Sequence, residues 1–129
     1  MNDLFKDAEI ISSYTRVQAI EDGMLVDITE FSREAGFKVP VAVTSGVFSI
    51  LEPSEELKSQ GQDLKGRMWD MLWILRLEIR KSEWTDTTVF VPLMIKTPGE
   101  KPEPVKMWAK AGPGDQMEMV ITIMLEGED

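Results

Sequence analysis

The segment that most constrains the fold is residues 63–82, DLKGRMWDMLWILRLEIRKS. Its apolar side chains recur at spacings of four and three residues, which is the period of an α-helix with one apolar face. This is the strongest periodic signal in the chain. The sequence therefore predicts a helix over 63–82 at the centre of the domain, with a buried stripe made of Met68, Leu72, Leu75 and Ile79.

A second stripe on the same predicted helix combines tryptophan with arginine. It repeats the spacings of four, three and four residues and consists of Trp69, Trp73, Arg76 and Arg80. Trp and Arg are common anchors of protein interfaces, so the stripe is a candidate binding surface for a partner or an anion. Tryptophan on an apolar helix also belongs often to the core, with arginine stacked across it. The spacing favours this second, structural interpretation.

The C-terminal part of the chain has the pattern of β-structure, with three predicted strands at 87–96, 105–111 and 117–125. Pro92 lies inside the first of them and indicates an edge strand or a bulge, because proline cannot donate to a neighbouring strand. The predicted fold class is α+β. An antiparallel sheet of three or more strands packs on the helix, preceded by short N-terminal helices, in a single domain over 1–129.

The last two strands are predicted to form a hairpin around the turn sequence GPGDQ. Alternation of apolar side chains favours a register that pairs Ala111 with Met117 and Ala109 with Met119. The opposite face then carries an aromatic side chain between two cations: Lys106, Trp108 and Lys110. Such a set is a platform for stacking nucleic-acid bases or a small ligand. The alternative, which we favour, is that Trp108 covers a small core or an interface while the lysines extend around it.

The N-terminal part shows helix-cap signals. Thr15 and Gln18 have the spacing of a capping box, and Gly23 suits the residue after a helix end. The polar set around this helix has two interpretations, as a recognition surface or as the solvent-exposed side of a structural helix; it consists of Tyr14, Arg16, Gln18 and Asp22. The structural interpretation is favoured, because local ion pairs and capping account for these residue types.

The next segments follow the same logic. Asp27 and Glu30 predict a second short helix that ends at Gly36. Residues 37–43 are predicted to be extended, followed by a helix that Thr44 caps and that ends before Pro53. Residues 52–62 are predicted to be a polar loop, and the acidic tail LEGED to be frayed.

Cysteine and histidine are both absent. This excludes disulfides, thiolate metal sites and a Cys nucleophile, and it removes the side chain that most often transfers protons near neutral pH. We therefore expect no cofactor, no metal site and no catalytic residue, although a carboxylate- or tyrosine-based enzyme around Tyr14 remains a third hypothesis. The charged start of the chain indicates no signal peptide, and no apolar run is long enough to span a membrane. These features predict a cytoplasmic protein.

Charge limits the class of partner. The formal net charge is −9, from 14 basic and 23 acidic residues. Such a chain repels nucleic acid and attracts basic protein surfaces, although solubility alone also explains the charge. The leading prediction is a non-enzymatic interaction module with a basic protein partner and no membrane contact. A nucleic-acid or ligand module that uses Trp108 is the alternative, and homo-oligomerisation remains open.

Five segments of the sequence carry a family resemblance: SSYTRVQAIEDGMLVD (12–27), FKVPVAVT (37–44), GRMWDMLW (66–73), AGPGD (111–115) and ITIMLEGED (121–129). Through them the chain resembles, over nearly its full length, a small family of uncharacterised bacterial proteins. This family is described as a domain of unknown function and is often found on plasmids and phages. Glu126 departs from the family pattern, which has proline there, and affects only the tail.

The resemblance implies no activity. Together with the acidic charge and the absence of catalytic residues, it leads to the hypothesis of a mobile-element protein whose acidic face engages a basic host protein, such as a nucleic-acid-binding or defence protein. The resemblance also implies a shared structural or binding core, consisting of Tyr14, Arg16, Gln18, Asp22, Gly23, Asp27, Arg67, Trp69, Asp70 and Trp73. Within that set we expect a buried ion-pair network of Arg16 with Asp22, Asp27 or Asp70. Such a network would fasten the first helix to the helix over 63–82.

Overall fold

The computed structural model describes residues 14–81 and 86–128. The expectation of no signal peptide and the predicted ends at Ser82 and Asp129 lie outside these ranges. The helices are α1 (Arg16–Glu21), α2 (Thr29–Glu34), α3 (Ser45–Leu51), α4 (Glu55–Ser59) and α5 (Leu64–Lys81). The strands are β1 (Leu25–Asp27), β2 (Val41–Thr44), β3 (Thr87–Phe90), β4 (Leu93–Met94), β5 (Glu103–Pro104), β6 (Met107–Pro113) and β7 (Met119–Leu125).

The main sheet has five strands in the order β1-β2-β7-β6-β3, and β4 pairs with β5 separately. Neighbouring strands are antiparallel except β2 and β7, which run parallel with Val41 opposite Ile121. The predicted α+β class is confirmed, whereas the antiparallel sheet is only partly right. Residues 41–43 are fully buried, as expected of a strand with neighbours on both sides and helices over the sheet. The sequence pattern does not reveal that this strand pairs with the C-terminal one.

Helix α5 occupies the predicted segment and spans 18 residues. Its side chains Met68, Leu72 and Leu75 are buried, and they pack with sheet residues such as Met107 and Ile123 in one core. Ile79, the fourth residue of the predicted stripe, is partly buried against the same core, so the stripe is confirmed with Ile79 at its margin. The prediction of a long helix at the centre of the domain is only partly confirmed, because α5 lies against one face of the sheet.

The predicted hairpin is present, but its register is wrong. Ala111 lies opposite Ile121 and Ala109 lies opposite Ile123. The turn is centred two residues later than expected: Met117 adopts a φ of 65°, and Gly114 N donates to Glu118 O at 2.6 Å. Since the shift is an even number of residues, every side chain keeps its predicted face.

The predicted strand over 87–96 is interrupted at Pro92. Its first part forms β3, an edge strand of the main sheet, and residues 93–94 pair with β5 instead. The Pro92 carbonyl accepts a hydrogen bond from Val105 N at 2.9 Å. As a result the next predicted strand begins at Met107 and not at residue 105.

The predicted caps of α1 and α3 are confirmed: Thr15 and Gln18 form a capping box, and the Thr44 side chain accepts from Val47 N. The polar loop predicted over 52–62 is wrong, because it contains α4. The Ser54 hydroxyl caps this helix, and Leu57 is buried beneath it. One apolar anchor and one cap suffice for a single helical turn on the surface.

The C-terminal tail is attached, contrary to the predicted fraying. Glu128 Oε1 accepts hydrogen bonds from the Thr44 hydroxyl at 2.8 Å and from Leu125 N at 2.7 Å. Its carboxylate thereby lies beside Gly46, in the first turn of α3. A negative charge at this position interacts favourably with the partial positive charge of a helix start.

Candidate functional site

The polar side chains of α1 attach this helix to the sheet. The half-buried guanidinium of Arg16 donates from Nη1 to Thr122 Oγ1 at 2.7 Å and from Nη2 to the Ile121 carbonyl at 2.9 Å. From the β6–β7 turn, the Asp115 carboxylate accepts the backbone N–H groups of Arg16 at 2.8 Å and Val17 at 3.0 Å. The hairpin therefore holds α1 in two ways, through the side chain of Arg16 and through the backbone N–H groups at the N-terminus of the helix.

The remaining polar residues of this region have local partners. The Tyr14 hydroxyl donates to Asp22 Oδ2 at 2.6 Å, and Gln18 completes the capping box. The ion-pair network expected for Arg16 with Asp22, Asp27 or Asp70 is not formed; among the described residues Arg16 makes no ion pair within 4 Å. These side chains act as fasteners, but they fasten α1 to the sheet and not to α5.

Burial and charge both act on these groups. Desolvation lowers the pKa of the Arg16 guanidinium from its ordinary value, while the nearby charges of Asp27, Asp115 and Glu118 act in the opposite direction. The hydrogen bond to Asp22 raises the pKa of the Tyr14 hydroxyl. The two backbone N–H donors of α1 lower the pKa of the Asp115 carboxyl. The Tyr14 hydroxyl therefore keeps its proton near neutral pH.

We expect Asp115→Ala to lower the thermal midpoint by roughly a few degrees at pH 7, because α1 loses the acceptor for two N–H groups. A carboxyl with a lowered pKa in the folded state stabilises the fold above its unfolded pKa and loses that effect as pH falls through the folded pKa. The difference from wild type should therefore be full at pH 7 and shrink below about pH 4. Gln116→Ala in the same turn is the control. A difference that does not change with pH would contradict the role of the carboxylate.

Arg67 is buried in the core, with 5% of its surface exposed. Its Nε donates to the Leu51 carbonyl at 2.9 Å, its Nη2 to the Ile50 carbonyl at 2.8 Å, and its Nη1 to the Ile95 carbonyl at 2.9 Å. Desolvation lowers the pKa of this guanidinium. Arg67 thus joins the C-terminal end of α3 to the segment after β4, which is a structural role.

The tryptophan pair, Trp69 and Trp73, lies on the outer side of α5. The two residues are 43% and 48% exposed, so the interpretation that places them in the core is wrong. Phe31 of α2 packs edge-on against Trp69 with ring centroids 6.3 Å apart. The Arg76 guanidinium lies 5.7 Å from the centre of the Trp73 ring. Neighbouring side chains therefore hold both rings on the surface, while Arg80 is exposed beyond them.

Arg76 also ties α5 to α2. Its Nη1 donates to the Ala35 carbonyl at 2.7 Å. Gly36 permits this approach, since a Cβ at that position would lie 2.8 Å from Arg76 Nη1, and its φ of +98° also favours glycine. The predicted helix end at Gly36 thus has a second role in placing Arg76 under Trp73.

A cleft of about 580 Å³ opens between α2 and the start of α5. Neither tryptophan lines it, but Phe31, one of its lining residues, packs against Trp69. We refer to it as the α2–α5 cleft. Its apolar lining consists of Val26, Ile28, Phe31, Phe48, Leu64 and Met68. The exposed charged residues at its margin are Asp27, Glu30, Glu34 and Lys65. The cleft can therefore accept apolar side chains while presenting three carboxylates and one ammonium group.

The sheet face with Lys106, Trp108 and Lys110 is only partly open. Trp108 is half-buried, and its buried indole N–H has no hydrogen-bond partner among the residues that the structure describes. Lys106 pairs with Glu126 at 3.6 Å. With the ring half covered and Lys106 paired with Glu126, the arrangement supports packing better than base stacking.

Residue patterns missed three features of these surfaces, although the family resemblance names Asp27 and Arg67 as members of a shared core. Arg67 lies four residues before Met71 and eight before Leu75, and this spacing could have placed it on the buried face. Asp115 and the acidic margin of the α2–α5 cleft give no local signal, because their partners are distant in sequence. Within residues 14–81 and 86–128 no helix is long and apolar enough to cross a bilayer, and no acidic cluster is arranged to hold a metal ion.

Comparison with known proteins yields one family. The model of a family of unknown function, DUF6573, matches residues 1–129. No curated protein and no solved structure matches the chain significantly. The comparisons therefore supply no activity, and the function has to be argued from the surfaces themselves.

Proposed function

We propose that this chain, which belongs to the family of unknown function DUF6573, is a non-enzymatic interaction module that binds a basic, partly apolar segment of another protein in the α2–α5 cleft. The observation that carries the proposal is an apolar cleft with an acidic margin, whose lining residue Phe31 packs against the exposed Trp69, with the exposed Trp73 one turn further along α5. Each part of this arrangement supports one property of the partner.

The tryptophan pair supports a protein partner. Trp is among the residues most enriched at energetic hot spots, and two rings one helical turn apart present a continuous apolar surface. Phe31 and Arg76 already hold these rings in place. Little side-chain entropy is therefore lost when a partner covers them, which favours binding.

The cleft margin supports a basic partner. Three carboxylates, from Asp27, Glu30 and Glu34, surround an apolar lining with Lys65 as the opposing charge. The net charge of −9 adds long-range attraction toward a basic surface. Proteins that bind nucleic acid carry such surfaces, so they are the partner class that this charge pattern fits best.

The first test uses a fluorescent amphipathic peptide of leucine and lysine and measures its binding by anisotropy. We expect the double variant Trp69→Ala/Trp73→Ala to bind this peptide roughly 30-fold more weakly, equivalent to about 2 kcal/mol for the loss of a hot spot. Both tryptophans are exposed, so the fold should be retained. Unchanged affinity in this variant would refute the proposal.

Two controls separate apolar contact from charge. Leu77→Ala, which changes another exposed apolar residue of α5, should leave affinity unchanged. Glu30→Gln/Glu34→Gln should weaken binding and flatten its dependence on salt, whereas a leucine–glutamate peptide should not bind. A natural partner captured from cells that produce the protein should be lost with the tryptophan double variant and retained with Leu77→Ala.

A further inference from the structure

A second concavity, of about 480 Å³, lies on the opposite side of the sheet between α1 and the β6–β7 hairpin. We refer to it as the α1–β6 groove. Its apolar lining includes Ala19, Leu25, Val120 and Met124, and its polar lining includes Tyr14, Arg16, Lys110 and Thr122. It shares no lining residue with the α2–α5 cleft. Its volume lies in the range of small-molecule sites, which is about 300–1,000 Å³.

Gly112 leaves the floor of this groove open. It lies within β6 opposite Val120, and no atom of the described residues is within 4 Å of the position that a Cβ would take. Its φ is not positive, so the backbone there accepts any residue. Glycine inside a strand reduces stability and often marks a place where a ligand approaches the backbone.

The neighbouring glycine shows that such openness is not general in this hairpin. A Cβ at Gly114 would collide with the Glu118 carboxylate and would lie 3.0 Å from Val120. Packing therefore explains Gly114 but does not explain Gly112. Contacts with the described residues therefore do not require glycine at position 112, and its missing side chain leaves room in the groove.

The polar wall of the groove carries both signs of charge, with Arg16 and Lys110 as its basic residues and Asp115 as its acidic residue. A guanidinium has five N–H donors, of which Arg16 uses two, for Thr122 and the Ile121 carbonyl. Arg16 is half-buried and makes no ion pair within the described part of the chain. The adjacent Asp115 carboxylate is engaged by two N–H groups of α1. Lys110 places a second positive charge on the same groove.

We propose that the α1–β6 groove binds a small organic molecule that carries one oxyanion group, a carboxylate or a phosphate. The oxyanion contacts the remaining donors of Arg16, which suit such groups in both charge and geometry. The apolar body of the molecule lies over Gly112 and against Val120 and Met124. This site is independent of the protein-binding surface on α5.

Benzoate and phenyl phosphate are suitable probes, and benzamide is the uncharged control of similar shape. Changes in backbone amide NMR shifts during titration show which residues each probe contacts. We expect saturable shifts of Gly112, Lys110 and Thr122 with at least one anion, and at least tenfold weaker binding of benzamide. Gly112→Val should keep the fold and its thermal midpoint, because valine suits a strand, and should abolish these shifts by filling the groove.

Arg16→Gln should also abolish the shifts. If this variant does not fold, Lys110→Gln replaces it and should weaken binding several-fold. A response to only one anion identifies the head group and supports the site. The proposal is overturned if neither anion gives saturable shifts, if the shifts persist in Gly112→Val, or if Gly112→Val unfolds the protein.

Discussion

Replacing Arg67 with methionine is expected to lower the free energy of unfolding by about 4 kcal/mol. Methionine fills a similar space but donates no hydrogen bond, so the carbonyls of Ile50, Leu51 and Ile95 lose their partner. The contact to Leu51 is buried and those to Ile50 and Ile95 are partly buried. A fully buried acceptor left unsatisfied costs about 1–3 kcal/mol, and a partly buried one costs less. Removing the buried charge offsets part of this loss of stability, because the cost of desolvating the guanidinium disappears as well. The loss therefore lies below the sum for three separate carbonyls.

Urea unfolding of the wild type and of two further variants tests this prediction. Arg76→Met loses a single carbonyl contact, to Ala35, and is expected to cost only about 1 kcal/mol. Arg67→Lys keeps the charge, but its ammonium group cannot reach three carbonyls at once. Its loss of unfolding free energy should therefore lie between those of Arg76→Met and Arg67→Met. A loss of under about 1 kcal/mol for Arg67→Met would mean that these carbonyls find other donors.

Replacing Leu72 with alanine is expected to lower the free energy of unfolding by about 3 kcal/mol. Leu72 is fully buried between α5 and the sheet, and its truncation removes apolar contacts and leaves a cavity. Leucine and alanine have similar helix propensities. The measured loss therefore reports packing and not a change in the helix itself.

Leu77→Ala on the same helix is the matched control, since Leu77 is 37% exposed. It should cost less than about 1 kcal/mol. Both variants are compared by chemical unfolding with a common slope against denaturant concentration. Equal losses of unfolding free energy at the two positions would contradict the assignment of Leu72 to the buried face of α5 and of Leu77 to its exposed face.

Short-range structure was predictable because its causes lie within a few residues. The capping box of Thr15 and Gln18 and the cap at Thr44 depend on side chains three residues from their partners. The buried stripe of α5 follows from the helical period alone. The missed helix α4 depends on Leu57 finding a place in the core, which no local pattern shows.

Long-range pairing was predictable only in part. The alternation in β6 and β7 correctly assigned side chains to faces, since a shift of two residues in each strand preserves that assignment. It did not fix the register, which depends on the backbone conformation at Met117. The parallel contact of β2 with β7 joins segments about 80 residues apart in sequence, and the apolar pattern of a buried strand is the same for any partner.

The sequence by itself determined the α+β class, the caps of α1 and α3, the apolar stripe of α5 and the net charge, because each depends on residue type and short spacing. Only the tertiary structure decided which side of α5 faces solvent at Trp69 and Trp73, and which distant groups hold Arg16 and Arg67. The α2–α5 cleft and the α1–β6 groove belong to this second class. Their lining residues come from segments far apart in the chain, and burial and concavity arise only when the chain packs.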